Sequence, residues 1–267
     1  MIAHWLFRQI RAAGLVALAT AAMAPAVAQD KPLPGDPYQS LPMLDMRKEY
    51  LGNQPLSFDS RVQVLGPTFA EDPMNVPISV RVDPALGPIE KLVVLVDRNP
   101  IRRVLEYWPV QALPALSFRF KLEQASPVRA AVLTKDGRWV VGGTMVDSAG
   151  GGCTVSGASR KDGSWTQTLG DVSGRLFSRA PGSDSALRLR LQVMHPMDTG
   201  LVAGVPAFYV NRLSLRDGSG RELARMLAYE PVSENPVFSF DFAQPPEGGV
   251  RIVGTDNNGN RIASQLK

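Results

Sequence analysis

The chain has 267 residues, 44% of them apolar and 20% charged, with a formal net charge of +4. That length suits two domains of roughly 100–150 residues each, and the composition excludes both a disordered chain and a membrane bundle. A charge this small, with no block of Lys and Arg, leaves nucleic-acid binding without support.

The first element is a processing signal. Arg8 and Arg11 precede a run of small residues and Leu from Ala12 to Ala24, and Ala26-Val27-Ala28 fits a small-x-small cleavage site, so the mature chain is expected to start at Gln29. The run is shorter than the roughly 20 residues that span a bilayer, and no later stretch is long and apolar enough, so no membrane attachment is expected after cleavage. No Arg-Arg pair precedes the run and no Cys follows the cleavage site, which points to the general secretion route and away from a lipoprotein. Removing Met1–Ala28 takes away Arg8 and Arg11 and no acid, and lowers the formal charge from +4 to +2.

Residues 29–56 form a leader. Pro32, Pro34 and Pro37 make its first part extended, and Leu41, Leu44 and Met46 through Leu51 fit one short amphipathic helix. From about Ser57 the pattern turns to β. Val62-Gln63-Val64, Ile78 to Val82 and Ser117 to Leu122 alternate apolar and polar, and Leu92 to Val96 is a continuous apolar run that reads as a buried strand. Val128–Leu133 and Trp139–Val141 flank Asp136-Gly137, a hairpin with a positive-φ turn. Short strands at this spacing predict a β-sandwich over 57–149.

Residues 150–173 are small and polar, with Gly150-Gly151-Gly152-Cys153 at their head, and are expected to form a flexible linker. A second sandwich is expected over 174–267. Ala186 to Val193 alternates strictly, Val237 to Phe242 alternates again, and Arg251–Val253 with Arg261–Ala263 encloses the turn Asp256 to Asn260 as a closing hairpin. Arg221 to Tyr229 fits a helix by its Leu and Met spacing, but its β surroundings favour a strand. The fold class expected is therefore all-β, two sandwiches in tandem.

The chemistry is bounded mainly by what is missing. The mature chain has one His and one Cys, too few for the usual zinc sites, and it has no haem-attachment motif, nucleophile elbow, Walker loop or dinucleotide fingerprint. No metal or cofactor is implied. A Cys153–His195 pair is conceivable on paper, but His195 stands beside Pro196 at a strand end with nothing to orient it. Asp256 to Asn260 lacks the Glu of a calcium loop and reads better as a turn. Cys153 remains. An exported protein that relies on disulfides carries cysteines in even number; this one carries one, unpaired within the chain. Three glycines before it permit any backbone conformation and close approach of other walls, so the thiol could be extended into a cleft on a partner. A lone thiol in a linker with no role is the alternative.

The chain resembles a fusion of the two subunits of the SoxYZ sulfur carrier. The SoxY-like part runs from about Val62 to Cys153, with Val76-Pro77-Ile78-Ser79-Val80-Arg81-Val82-Asp83, Leu95-Val96-Asp97-Arg98-Asn99-Pro100, Leu116 to Phe120, Val128-Arg129-Ala130 and Gly151-Gly152-Cys153 as its markers. The SoxZ-like part runs from about Leu187 to the end, with His195-Pro196-Met197-Asp198-Thr199-Gly200, Val205 to Asn211 and Ser233 to Phe240. The resemblance implies two immunoglobulin-like sandwiches packed together. It also implies a periplasmic carrier, not an enzyme, of the kind used in thiosulfate oxidation. In such a carrier Cys153 is the cargo-attachment thiol, and Gly150, Gly151 and Gly152 form a flexible arm that gives it reach. No residue of the SoxZ-like part has a catalytic role to transfer. The implied partners are c-type cytochromes and, because fused carriers of this type resemble a group associated with quinoprotein dehydrogenases, a PQQ-dependent dehydrogenase. In the family the arm usually ends the SoxY chain as Gly-Gly-Cys-Gly; here Thr154 follows and the chain continues. On the carrier reading Cys153 is exposed, mobile and reactive; a non-covalent accessory protein of the same redox partners needs no thiol. Whether two copies join through a Cys153 disulfide stays open.

Overall fold

The computed structural model describes residues 30–163, 165–180, 183 and 185–266. The expected signal, Met1–Ala28, lies outside the described residues. Every element below belongs to the compact unit Pro32–Lys267. No helix among the described residues is long and apolar enough to cross a membrane.

The first half comprises α1 (Pro42–Tyr50), β1 (Leu56–Phe58), β2 (Val62–Leu65), β3 (Phe69–Ala70), β4 (Val76–Val82), β5 (Ile89–Val96), β6 (Arg103–Trp108), β7 (Ala115–Phe120), β8 (Ser126–Thr134) and β9 (Trp139–Ser148). Two short helices follow, α2 (Ala158–Asp162) and α3 (Trp165–Thr168). The second half comprises β10 (Val172–Ser178), β11 (Leu187–Val193), β12 (Val210–Arg216), β13 (Glu222–Ala228), β14 (Val237–Phe242), β15 (Val250–Asp256) and β16 (Arg261–Leu266). The fold is two immunoglobulin-like sandwiches in tandem. Within Arg221 to Tyr229, Glu222–Ala228 forms the strand β13, because its apolar residues pair across β12 and β6.

The halves are joined by more than contact between finished domains. One sheet runs β1-β9-β8-β5-β6-β13-β12-β15-β16, with β3 also on β9, and the other runs β10-β11-β14-β7-β4-β2. Both cross the seam: β6 pairs with β13 through Trp108↔Arg225 to Leu105↔Ala228, and β7 pairs with β14 through Ser117↔Ser239 and Leu116↔Phe240. Each half thereby covers sheet edges that the other would expose. The core is correspondingly continuous, with Phe118 and Phe120 of the first half in the same cluster as Phe238, Phe240 and Phe242 of the second.

The leader belongs to the fold. Met43 and Met46 of α1 pack with Leu51 on the outside of the larger sheet, against Val93, Leu95, Ala131, Trp139 and Val141. This explains the unbroken apolar run in β5: Leu92, Val94 and Val96 face the sandwich core while Val93 and Leu95 face α1. Before α1, Asp36 and Asp97 clamp Arg129 of β8, which donates to Asp36 at 2.8 and 3.0 Å and to Asp97 at 2.7 and 2.8 Å, all three side chains being buried.

Candidate functional site

Four residues separate Cys153 from the end of β9, and the structure does not leave it on a free arm. Gly150 and Gly151 take φ of +95° and +86°, a path that side-chain-bearing residues rarely adopt. This path turns the backbone down onto the segment after β7, where the Gly151 and Gly152 N–H groups donate to the Glu123 and Leu122 carbonyls at 3.0 and 3.2 Å. A Cβ on Gly152 would lie 2.2 Å from the Pro73 carbonyl oxygen and 2.6 Å from that of Leu122, so only glycine fits there. In this structure the glycines expected as a flexible arm, Gly150, Gly151 and Gly152, serve close approach, with hydrogen bonds to Glu123 and Leu122.

The thiol itself is fully buried. Its backbone N–H donates to the Glu123 carboxylate at 2.9 Å, its carbonyl accepts from the Thr199 hydroxyl at 2.6 Å, and its Sγ lies 3.5 Å from the Lys121 carbonyl. The Lys121 ammonium is buried as well and donates to the Met197 carbonyl at 2.5 Å. Asn99 braces this wall, donating to the Lys121 carbonyl and accepting from Glu123 N–H. Burial pushes the thiol pKa up to about 12, and the Glu123 carboxylate adds to this, while Lys121 opposes it. Since the thiolate is the nucleophile, Cys153 in this seat is unreactive near neutral pH. The expectation of an exposed, mobile and reactive thiol is therefore not what the structure presents.

Residues after Cys153 are held too. Glu234 accepts from the first N–H groups of α2, Ala158 at 2.8 Å and Ser159 at 2.6 Å, and Arg160 binds Asp198 at 2.6 Å and stacks over Trp165. Residues 158–160, within the stretch expected as a linker, are thus a strap tied to the second half through Glu234 and Asp198.

His195 does not face the thiol. Its Nδ1 accepts from Met197 N–H at 3.1 Å, its Nε2 stands 3.5 Å from Asp256, and its ring packs on Phe208. Asp256 is otherwise occupied within its own turn by Asn258 and Asn260. Burial lowers the His195 pKa to about 4 from 6.5, with Asp256 opposing. A buried neutral imidazole stabilises the fold fully above the unfolded value of about 6.5, and that stability is lost as pH falls toward 4, by about 3 kcal/mol at most. Urea midpoints should fall between pH 7 and pH 4.5 in the native protein, and should fall less in His195→Gln; equal slopes would show that His195 is not the group responsible.

The seat is built from both halves: Lys121 and Glu123 from the first, Met197 and Thr199 from the second. Residues 195–199 are prominent in the sequence, but their place at the thiol is not. Lys121 gave no signal, because it follows Phe118-Arg119-Phe120 as if it were one more step of an alternating strand. The strand ends at Phe120, and Lys121 turns inward instead.

Comparison with known proteins places these halves. The family model described as sulfur oxidation protein SoxY matches residues 47–153, ending on Cys153, and that described as sulphur oxidation protein SoxZ matches residues 177–267. No curated protein matches the chain. Among solved structures it is similar to the sulfur carrier protein SoxY from Chlorobium limicola f thiosulfatophilum, at 17% identity and a TM-score of 0.36, over 39% of this chain and 90% of that one. With a SoxY part and a SoxZ part following one another over most of its length, and pairing strand to strand across the seam, the chain belongs to the SoxY–SoxZ family as a fused, two-part member.

Proposed function

We propose that this protein is a periplasmic carrier that holds a sulfur-containing or other thiol-reactive intermediate covalently on Cys153 and presents it to partner redox enzymes. The observation that carries this reading is that the SoxY match closes on the chain's single cysteine, directly after Gly150–Gly152. Attaching a sulfane anion such as thiosulfate to the thiol is a two-electron oxidation. A sulfur–sulfur bond forms, the Sγ proton leaves to solvent, and the two electrons pass one to each of two haem irons, which c-type cytochrome partners supply. Catalysis of loading and release rests with the partners, among them a quinoprotein dehydrogenase system. The buried seat is the resting state, in which the unreacted thiol is shielded from stray oxidation. Loading requires Cys153 to leave it, since no part of the residue is exposed there.

A second reading has its own support. The strap after Cys153 is anchored through Glu234 and Asp198, and the thiol is enclosed, as suits a non-covalent accessory protein of the same redox partners. Intact mass spectrometry separates the two. Protein taken without reductant from its native source, grown on thiosulfate or on the substrate of the dehydrogenase, should carry a mass increment on Cys153 that a thiol reductant removes. A doubled mass removed by reductant would instead report a Cys153-linked dimer. An unmodified Cys153, together with intact function in Cys153→Ser, would establish the accessory role.

A further inference from the structure

The outer face of the six-stranded sheet is the largest feature that the Cys153 site does not use. Strand alternation sends the apolar residues of β4, β7, β11 and β14 inward and the intervening ones outward. Cross-strand pairs fix one continuous outer row: Leu65↔Ser79, Ser79↔Ser117, Ser117↔Ser239, Ser239↔Arg190 and Arg190↔Arg175. One step along each strand, Arg81, Arg119 and Arg188 join the same face, because outward residues recur every second position. Six strands at about 4.8 Å spacing make this face about 24 Å wide.

Its charge is one-sided. Asp241 is the acid on these strands' outer face, and Arg188 holds it through two bonds of 2.7 and 2.6 Å. Among the described residues no ion pair engages Arg81, Arg119, Arg175 or Arg190. Arg175 and Arg190 stand directly opposite each other, an arrangement of like charges that weakens a sheet. Phe177, 45% exposed, and Leu65, 48% exposed, stand among them. Arginine interleaved with an exposed aromatic is the composition of protein–protein contact surfaces. The Arg119 end borders the strap that carries Cys153: Arg119 shares a surface hollow with Ala158, Ser159 and Glu234.

We propose that this face docks the acidic surface of a partner protein. The arginines spread in two dimensions over four strands, β4, β7, β10 and β11, with serines between them and Phe177 beside them, where a nucleic-acid site would line them along a track and a small anion would use two of them. A partner seated here lies against the strap, so the face would position it for Cys153. The docking does not depend on thiol chemistry and stands or falls separately from the carrier reading.

The test uses the purified full protein and a fluorescent poly-L-glutamate of about twenty residues, read by anisotropy at low and high salt. Binding should weaken as salt rises, through screening of exposed charge. The variant R119E/R175E/R190E should bind at least about tenfold more weakly, a difference of about 1.4 kcal/mol. R212E/R251E/R261E makes the same charge change on exposed arginines of the other sheet and should bind as the native protein does. Equal losses in the two variants would overturn the proposal, since net charge alone would then account for binding. Tighter binding of a twenty-base-pair DNA duplex than of poly-glutamate, with the same dependence on the three arginines, would overturn it in favour of nucleic acid. Displacement of poly-glutamate by sulfate far below the salt effect of chloride at equal ionic strength would overturn it in favour of a small-anion site.

Discussion

Native protein at pH 7.5 should react with a thiol reagent such as dithionitrobenzoate about a thousandfold more slowly than the same protein in urea. An ordinary cysteine, with pKa about 8.5, is roughly one-tenth thiolate at that pH. One held at about 12 is ionised some three powers of ten less. Enclosure of Sγ by Lys121 and the strap adds a steric barrier. Gly152→Ala should reverse much of this. Its Cβ would meet the Pro73 and Leu122 carbonyl oxygens at 2.2 and 2.6 Å, and backbone oxygens of neighbouring segments cannot swing away as a flexible side chain would. Overpacking of that kind costs about 1–3 kcal/mol, which corresponds to labelling faster by about fivefold to 150-fold as Cys153 leaves its seat. Labelling of the native protein within tenfold of the unfolded rate would show that the seat does not hold. An unchanged rate in Gly152→Ala would show that Gly152 does not control it.

Slow labelling is compatible with a carrier. The bonds that seat Cys153 are few and local, namely two backbone bonds from Gly151 and Gly152, one to Glu123, one from Thr199 and the weak contact of Sγ with Lys121. None belongs to a sheet ladder, so the segment can open without unfolding the sandwich, as local opening elsewhere in proteins does. On the proposed carrier function the seat would add discrimination: a thiol that is inert alone would become available when a partner stabilises the open form.

The strands were legible in the sequence because burial on one face imposes a period of two. Leu189 to Val193 alternates in sequence and in burial alike, and Val237 to Phe240 alternates in burial before Asp241 is covered by its pairing with Arg188. The continuous run Leu92 to Val96 was legible as a buried strand, but the reason it is apolar on both sides, α1 lying over Val93 and Leu95, was not. Cys153 stood out by being alone and following three glycines. Its surroundings did not, because Lys121 and Glu123 come from one segment and Thr199 from another about 75 residues on, and no local pattern says that the two meet at the thiol. The glycines misled for a physical reason. Glycine permits both a loose chain and the closest packing, and composition cannot tell which of the two a fold uses. The seam between the halves was equally hidden, since a strand that pairs with another half has the same alternation as one that pairs within its own.

Arg129→Met should be the most destabilising single substitution in the first half, at about 3–5 kcal/mol. Arg129 holds two carboxylates, so its triad with Asp36 and Asp97 carries one net negative charge inside the protein. Removing Asp36 leaves a balanced Arg129–Asp97 pair, whereas removing Arg129 leaves two buried acids facing each other with nothing between them. The two losses therefore differ in size, and Asp36→Asn should cost less than Arg129→Met. They also differ in their response to pH. Burial raises the Asp36 pKa, but the Arg129 bonds and the Tyr38 and Ser40 N–H groups outweigh it and hold it below the usual carboxylate range. In the native protein this stabilisation is present above the unfolded value near 3.9 and is lost as pH falls through the lower folded value. In Arg129→Met the Asp36 carboxyl, left with burial and no guanidinium, would be raised instead, and its penalty would shrink as it takes up a proton. The stability gap between native protein and variant should thus narrow from pH 7 to pH 5 in urea titrations. The same substitution releases the segment that leads into α1, uncovering Val93, Leu95 and Trp139, so limited proteolysis should cut the variant before Leu56 first. A gap that stayed constant with pH would mean that lost packing, and not uncompensated charge, is what Arg129 prevents.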